Sequence, residues 1–247
     1  MLPVLILQFD PGVPPGYFAS SLTRRGLPWR ILRLDAGETP PETLNGISGI
    51  GLMGGRMSAN DALPWIDPVL ALIRAAVGAG MPVIGHCLGG QLMSRALGGS
   101  VGASPTREIG WGTLDVADPA TARPWLGGLS APLDTFQWHA EAFSVPAGAV
   151  RILSSPHCPN QAFVYEDRHL AMQCHVEMTP EIIADWCARG ADEIGGGDGR
   201  AIQPVAHILA KTPTRIVRLH RLADALYSRW TQGLTTRPAT PVSASAL

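Results

Sequence analysis

Lysine is nearly missing from this chain, which has Lys211 and no other among 247 residues. Arginine carries the basic charge instead, and 19 basic residues face 20 acidic ones for a net charge of −1. That balance gives no electrostatic footprint for nucleic acid or an anionic membrane. Cysteine is scarce as well. Cys87, Cys158, Cys174 and Cys187 are few for a chain of this length and form no C-x-x-C pair, which favours free thiols in a reducing compartment over disulfides. No apolar run approaches the roughly 18 residues of a membrane span. Residues 1–10 lack a basic n-region and a small-residue cleavage site, so they read as the buried first strand of a cytoplasmic protein. Charged residues make up 16% and apolar residues 46%, which excludes wholesale disorder and supplies a sizeable core.

The first half alternates short apolar runs with helical patterns. Strands are expected at 3–8, 29–34, 49–54 and 82–85, and helices at 14–26, about 64–79 and 88–97. Strands that are apolar on both faces and alternate with helices argue for a parallel sheet covered on both sides. Candidate strands follow at 109–116, 135–138, 150–154, 161–166 and 169–174. Residues 180–230 read as helical around a breaking 195–199 glycine loop, and 235–247 as a frayed polar tail.

Two segments carry chemistry. In Val83-Ile84-Gly85-His86-Cys87-Leu88-Gly89-Gly90-Gln91 an apolar strand runs into a cysteine flanked by glycines, and a helix pattern follows at once. The glycines permit a sharp strand-to-helix turn that presents the Cys87 sulfur at a helix N-terminus, where the dipole favours thiolate. The Leu88 N–H then points toward an oxyanion formed by attack, and the Gly54-Gly55 turn offers a second N–H. In Gln173-Cys174-His175-Val176-Glu177 a strand again ends in polar groups. His175 and Glu177 are two apart, on one side of an extended chain, as a base and the carboxylate that orients it.

The remaining candidates have plainer readings. Cys158, Cys174 and Cys187 read as structural thiols. His139 is set aside as a second base because a loop is expected after Glu141. His157-Cys158 and Cys174-His175 lack a partner pair at zinc spacing, so no metal is expected. His86 reads as a packed neutral ring, with an imidazolium that favours the Cys87 thiolate as the alternative.

Taken together, these residues resemble the class I, triad-type glutamine amidotransferases. Gly85–Gln91 resembles their G-x-C-x-G-x-Q signature, residues 173–177 their Q-F-H-P-E signature, and residues 53–58 the glycine turn before their oxyanion hole. Residues 136–146 resemble the W-H-G-D/E-x-F-x-x-P stretch of stand-alone members most like the amidotransferase half of GMP synthase, and residues 158–163 fit that branch too. The resemblance implies a flavodoxin-like three-layer α/β fold, mostly parallel, with extra C-terminal helices. It divides the chain into an amidotransferase-like region over 1–185, a helical extension over 186–234 packed on it, and a tail over 235–247. It implies Cys87 as nucleophile, His175 as general base and acid, and Glu177 as its orienting partner. Gly55 and Leu88 become the oxyanion-hole amides. Gln91 lies near the bound glutamine, and Trp138, Ala140 and Glu141 hold its amino-acid end. Cys174, Val176 and Ala140 depart from the family pattern and alter the pocket's shape. The implied activity is release of ammonia from the glutamine side-chain amide through a γ-glutamyl thioester, with no cofactor. The alternatives are hydrolysis of γ-glutamyl amines or peptides by the same triad, and a non-catalytic redox or regulatory module. Neither a G-x-x-x-x-G-K-S/T loop nor a serine-glycine-glycine loop is present, so an ammonia-consuming synthetase is expected to be a separate polypeptide or absent.

Overall fold

The computed structural model describes residues 1–195 and 201–234. The expected tail and most of the 195–199 glycine loop lie outside the described residues. Among the described residues, nine strands form one sheet in the order β2-β1-β3-β4-β9-β8-β7-β5-β6. The first four are β1 (Val4–Gln8), β2 (Trp29–Arg33), β3 (Gly49–Leu52) and β4 (Val83–His86), and β9 is His169–Met172. These five pair in parallel, in the 2-1-3-4-5 order of flavodoxin-like sheets, with β9 in the fifth place. The other four strands, β5 (Val101–Val116), β6 (Leu133–Phe143), β7 (Ala149–Ser154) and β8 (Ala162–Tyr165), extend the sheet through antiparallel pairings.

Every residue of β1, β3, β4 and β9 is buried, as strands covered on both faces require. Alternation along β1 divides the core in two. Val4 and Ile6 join one apolar cluster with Phe18 of α1 (Gly16–Arg24) and with Tyr227 and Trp230 of α7 (Val205–Thr231). Leu5 and Leu7 join the other, with Ile73 of α2 (Ile66–Gly78) and Leu92 of α3 (Leu88–Ala96). The result is a sheet between two helical layers. Burial at about 25 cal/mol per Å² of apolar area is the main stabilising term.

Three elements differ most from the sequence expectation, and one is β6, which runs from Leu133 to Phe143 where a strand is expected only at 135–138. Helix α4 (Pro119–Leu126), with Pro124 inside it, falls where no helix is expected. Its start is local: the Asp118 carboxylate accepts the Thr121 N–H at 2.8 Å, and Pro119 fills the first turn. Strand β5 begins eight residues before the expected 109, since Val101–Ala103 pair with β6 across a register shift before Glu108. Helix α5 (Pro180–Arg189), capped by Thr179, runs across residue 185, and α6 (Ala191–Gly195) follows it. No described helix is long and apolar enough to cross a membrane.

Candidate active site

Strands β4 and β9 are parallel neighbours in the register His86↔Met172, so the residues just after each emerge together at the carboxyl edge of the sheet. The Cys87 N–H donates to the Met172 carbonyl at 2.8 Å, and the His175 N–H donates to the Phe136 carbonyl of β6 at 2.9 Å. Two stretches some ninety residues apart in sequence thus meet at one rim.

The turn at Cys87 is as sharp as the sequence implies. Cys87 has φ 48° and ψ −109°, a conformation costly for a residue with a side chain. Its glycine neighbours are required by contact. A Cβ on Gly85 would lie 2.5 Å from the Gly89 carbonyl carbon, one on Gly89 2.4 Å from the Leu52 carbonyl oxygen, and one on Gly90 2.5 Å from the Met172 carbonyl oxygen. Leu88 opens α3, where the helix offers its N–H no acceptor.

Behind the turn, His175 Nδ1 lies 2.6 Å from Glu177 Oε1. Burial, the largest single influence on His175, lowers its pKa, but the Glu177 carboxylate and the nearby Cys87 outweigh it and raise the pKa to about 10. Burial also favours neutral Glu177, and His175 outweighs that in turn, so Glu177 sits below the ordinary carboxylate range. Each partner therefore favours the charged form of the other, with both side chains buried. His175 Nε2 is buried with no hydrogen-bond partner of ordinary geometry. A Cβ placed on Gly54 would lie 3.3 Å from His175 Cε1 and 3.5 Å from Cys87 Cβ, so both side chains converge on the same glycine.

Cys87 and His175 face a cavity of about 290 Å³ that Gly55, Gln91, Trp138, Ala140 and Glu141 also line. Leu88 and Glu177 stand behind its wall with their side chains buried. Gln91 Nε2 donates to Gln173 Oε1 at 3.2 Å, and Gln173 Nε2 donates toward the Cys87 sulfur at 3.5 Å. Glu141 accepts the Ser58 hydroxyl at 2.8 and 3.1 Å, which ties the Gly54-Gly55 turn to β6.

The structure settles the histidine neighbours. His86 is fully buried, and burial lowers its pKa, so the ring is neutral. Its Nδ1 faces the Leu52 carbonyl at 3.4 Å and must carry the proton. Its Nε2 therefore accepts the Tyr227 hydroxyl at 3.0 Å. His139 lies within β6 and not before a loop. It is held between Glu108 Oε2 and the Glu141 carbonyl, both at 3.1 Å. Glu108, His139 and Cys158 bring one ligand atom each within 4.8 Å of one another. The Glu108 carboxylate is already occupied by His139, Gln161 and Ser155, which makes the group a buried polar knot under β6. Burial pushes the thiols of Cys158 and Cys174 up to about 11 and about 12, and all four cysteines are free.

Several cavity residues carry no sequence signal. Trp186 of α5 sets its ring edge-on to His175 at 5.0 Å and donates its indole N–H to the Gly12 carbonyl at 2.8 Å. Glu193 of α6 accepts the Trp138 indole N–H at 3.2 Å and pairs with Arg107. Asp10 and Arg56 pair at the mouth at 2.8 Å. Arg56 stands inside a recognised segment, but only the fold shows that Asp10 meets it.

Comparison with known proteins agrees with this geometry. A family model described as glutamine amidotransferase class-I matches residues 18–184. The chain is 30% identical over 184 residues to the glutamine amidotransferase-like protein YfeJ of Salmonella typhimurium, covering 72% of this chain and 77% of that one. It is 34% identical over 147 residues to a glutamine-hydrolyzing GMP synthase subunit of Methanoculleus marisnigri, covering 58% and 72%. It spans 20% of the length of a GMP synthase of Photobacterium profundum and 35% of that of Aeropyrum pernix. The crystal structure of a glutamine amido transferase from Methylobacillus flagellatus superposes with a TM-score of 0.91 at 43% identity, covering 95% of this chain and 96% of that one. An elbow cysteine, a buried histidine–glutamate pair and a shared cavity occur here on a chain that matches the family over two thirds of its length; the chain belongs to the class I glutamine amidotransferase family.

Proposed function

We propose that the protein hydrolyses the side-chain amide of glutamine through a γ-glutamyl thioester on Cys87. The observation that carries the reading is the convergence of Cys87 and the His175–Glu177 pair on one cavity. The Cys87 sulfur, beside His175, attacks the carbonyl carbon of the γ-carboxamide group. The N–H groups of Leu88 and Gly55 stabilise the oxyanion. As the carbon–nitrogen bond breaks, His175 gives its proton to the leaving ammonia. His175 then takes a proton from water, which attacks the thioester and releases glutamate and the thiolate. Glu177 holds the imidazole in the tautomer and orientation that both proton transfers need. Gln91 lies near the bound glutamine, and Trp138, Ala140 and Glu141 hold its amino-acid end.

The test is ammonia and glutamate release from glutamine by the purified protein and by Cys87→Ala. Release is expected from the first and only background from the second; equal rates would remove Cys87 from the chemistry. Steady release by the isolated chain favours a free-standing hydrolase. A rate that stays negligible until a separate synthetase is added favours coupled transfer, a reading supported by the Methanoculleus relative, which is itself one subunit of a GMP synthase.

A further inference from the structure

Two buried amides stand beside the nucleophile. Gln91 of α3 is 4% exposed, and Gln173, the residue after β9, is 0% exposed. The backbone before Gln173 already touches Cys87, since the Met172 carbonyl accepts the Cys87 N–H at 2.8 Å. The Gln173 side chain reaches the same cysteine, with its Nε2 3.5 Å from the sulfur. Gln173 Oε1 faces Gln91 Nε2 at 3.2 Å, and Gln91 Nε2 faces the Glu141 carbonyl at 3.4 Å. His139 Nδ1 meets that carbonyl at 3.1 Å and is itself held by Glu108. A row of hydrogen bonds thus runs from the buried knot under β6 to the Cys87 sulfur.

The direction of this row is fixed by its fixed end. A side-chain amide has a donor end and an acceptor end of nearly the same shape, so its partners decide which way it points. A backbone carbonyl only accepts. The Glu141 carbonyl therefore draws the NH₂ end of Gln91 toward itself. That NH₂ has a second hydrogen, which Gln173 Oε1 accepts. With its oxygen engaged, Gln173 turns its own NH₂ end to the sulfur. Reversing Gln91 would set oxygen against oxygen, and reversing Gln173 would set two NH₂ groups against each other.

We infer, on the reading of Cys87 as the nucleophile, that Gln173 is a catalytic residue: its side-chain N–H stabilises negative charge on the Cys87 sulfur, and Gln91 and the Glu141 carbonyl are the positioning groups that aim it. This role differs from that of His175. The imidazole gives and takes a proton in each turnover, so what it offers the sulfur changes from step to step. An amide N–H does not titrate. It faces the sulfur during attack and again when the sulfur leaves the thioester, and no proton moves from it. A hydrogen bond to an ionised acceptor is roughly twice as strong as one to a neutral acceptor, so the contact favours charged sulfur over the thiol. Gln173 is fully buried, so water does not compete for its N–H.

The test is alkylation of Cys87 by iodoacetamide, read by peptide mass spectrometry, in the unaltered protein, Gln173→Met and Gln91→Met. It requires no turnover. Methionine keeps the length of the side chain and removes the amide. Thiolate is the reacting form, so loss of the donor slows alkylation where sulfur is mostly protonated and not where it is ionised. Gln173→Met is expected to react about threefold to tenfold more slowly at about pH 6, and within about twofold of the unaltered rate at about pH 9. Gln91→Met leaves the Gln173 amide free to turn and should show the same pattern at smaller size. Equal slowing at both pH values would mean that Gln173 only shapes the elbow. An unchanged or faster rate at about pH 6 would mean that its N–H does nothing for the sulfur. Either result overturns the inference. If Gln173→Met does not fold, the two rates of Gln91→Met decide by the same criterion. Failure of the unaltered protein to release ammonia from glutamine would instead overturn the hydrolysis reading, and the alkylation comparison still decides the role of Gln173.

Discussion

His175 Nδ1 and Glu177 Oε1 lie 2.6 Å apart, with their side chains 2% and 1% exposed. The pair sits in the segment that follows β9, with the cavity on one side and the core on the other. Burial opposes charge on both, and each partner offsets that cost for the other, raising the pKa of His175 and lowering that of Glu177.

Glu177→Gln keeps the shape of the pair and removes its charge. The expected result is a fall in kcat of about 10² to 10⁴, with KM changed by no more than about threefold because Glu177 does not line the cavity. Steady-state kinetics on glutamine checks this. A KM effect with kcat intact would mean that Glu177 shapes the pocket and does not orient His175.

Stability should depend on pH through the same pair. His175 is raised from 6.5 to about 10 in the fold, so the native state keeps a proton that the unfolded chain has already lost. The contribution is complete below about pH 6.5 and fades as pH climbs toward 10. Denaturant midpoints should therefore fall between about pH 7 and pH 10, and fall less steeply in Glu177→Gln. Identical slopes in the two proteins would sink this account.

Cys87 holds a positive φ that glycine tolerates and alanine does not. Cys87→Gly should be more stable than Cys87→Ala by about 1 kcal/mol, despite the entropy that glycine costs. Thermal melts of the two inactive variants decide it. Alanine at or above glycine would show that the turn is unstrained.

Tyr227→Phe leaves the His86 Nε2 acceptor buried and unmet beneath the elbow. A loss of about 1 to 3 kcal/mol is expected in chemical denaturation. An unchanged midpoint would mean that His86 finds another partner.

The local punctuation of this fold is written in its sequence. Gly85, Gly89 and Gly90 around Cys87 announce a strand-to-helix turn because no other residue fits the backbone approaches found there. The apolar runs of β1, β3, β4 and β9 announce buried parallel strands because both of their faces must be covered. The two-residue spacing of His175 and Glu177 puts them on one side before any partner is known. What the sequence could not decide depends on long-range pairing. Only the placement of β9 beside β4 brings His175 to Cys87, and only the packing of α5 turns Trp186 toward the histidine. Asp10 and Arg56 lie forty-six residues apart, with nothing local to either that predicts their 2.8 Å contact. The same holds for Tyr227 and His86 across 141 residues. Spacing along the chain fixes the turns and the faces; which faces meet is decided by the one arrangement that buries the apolar strands on both sides and leaves the polar strand ends facing a common cavity.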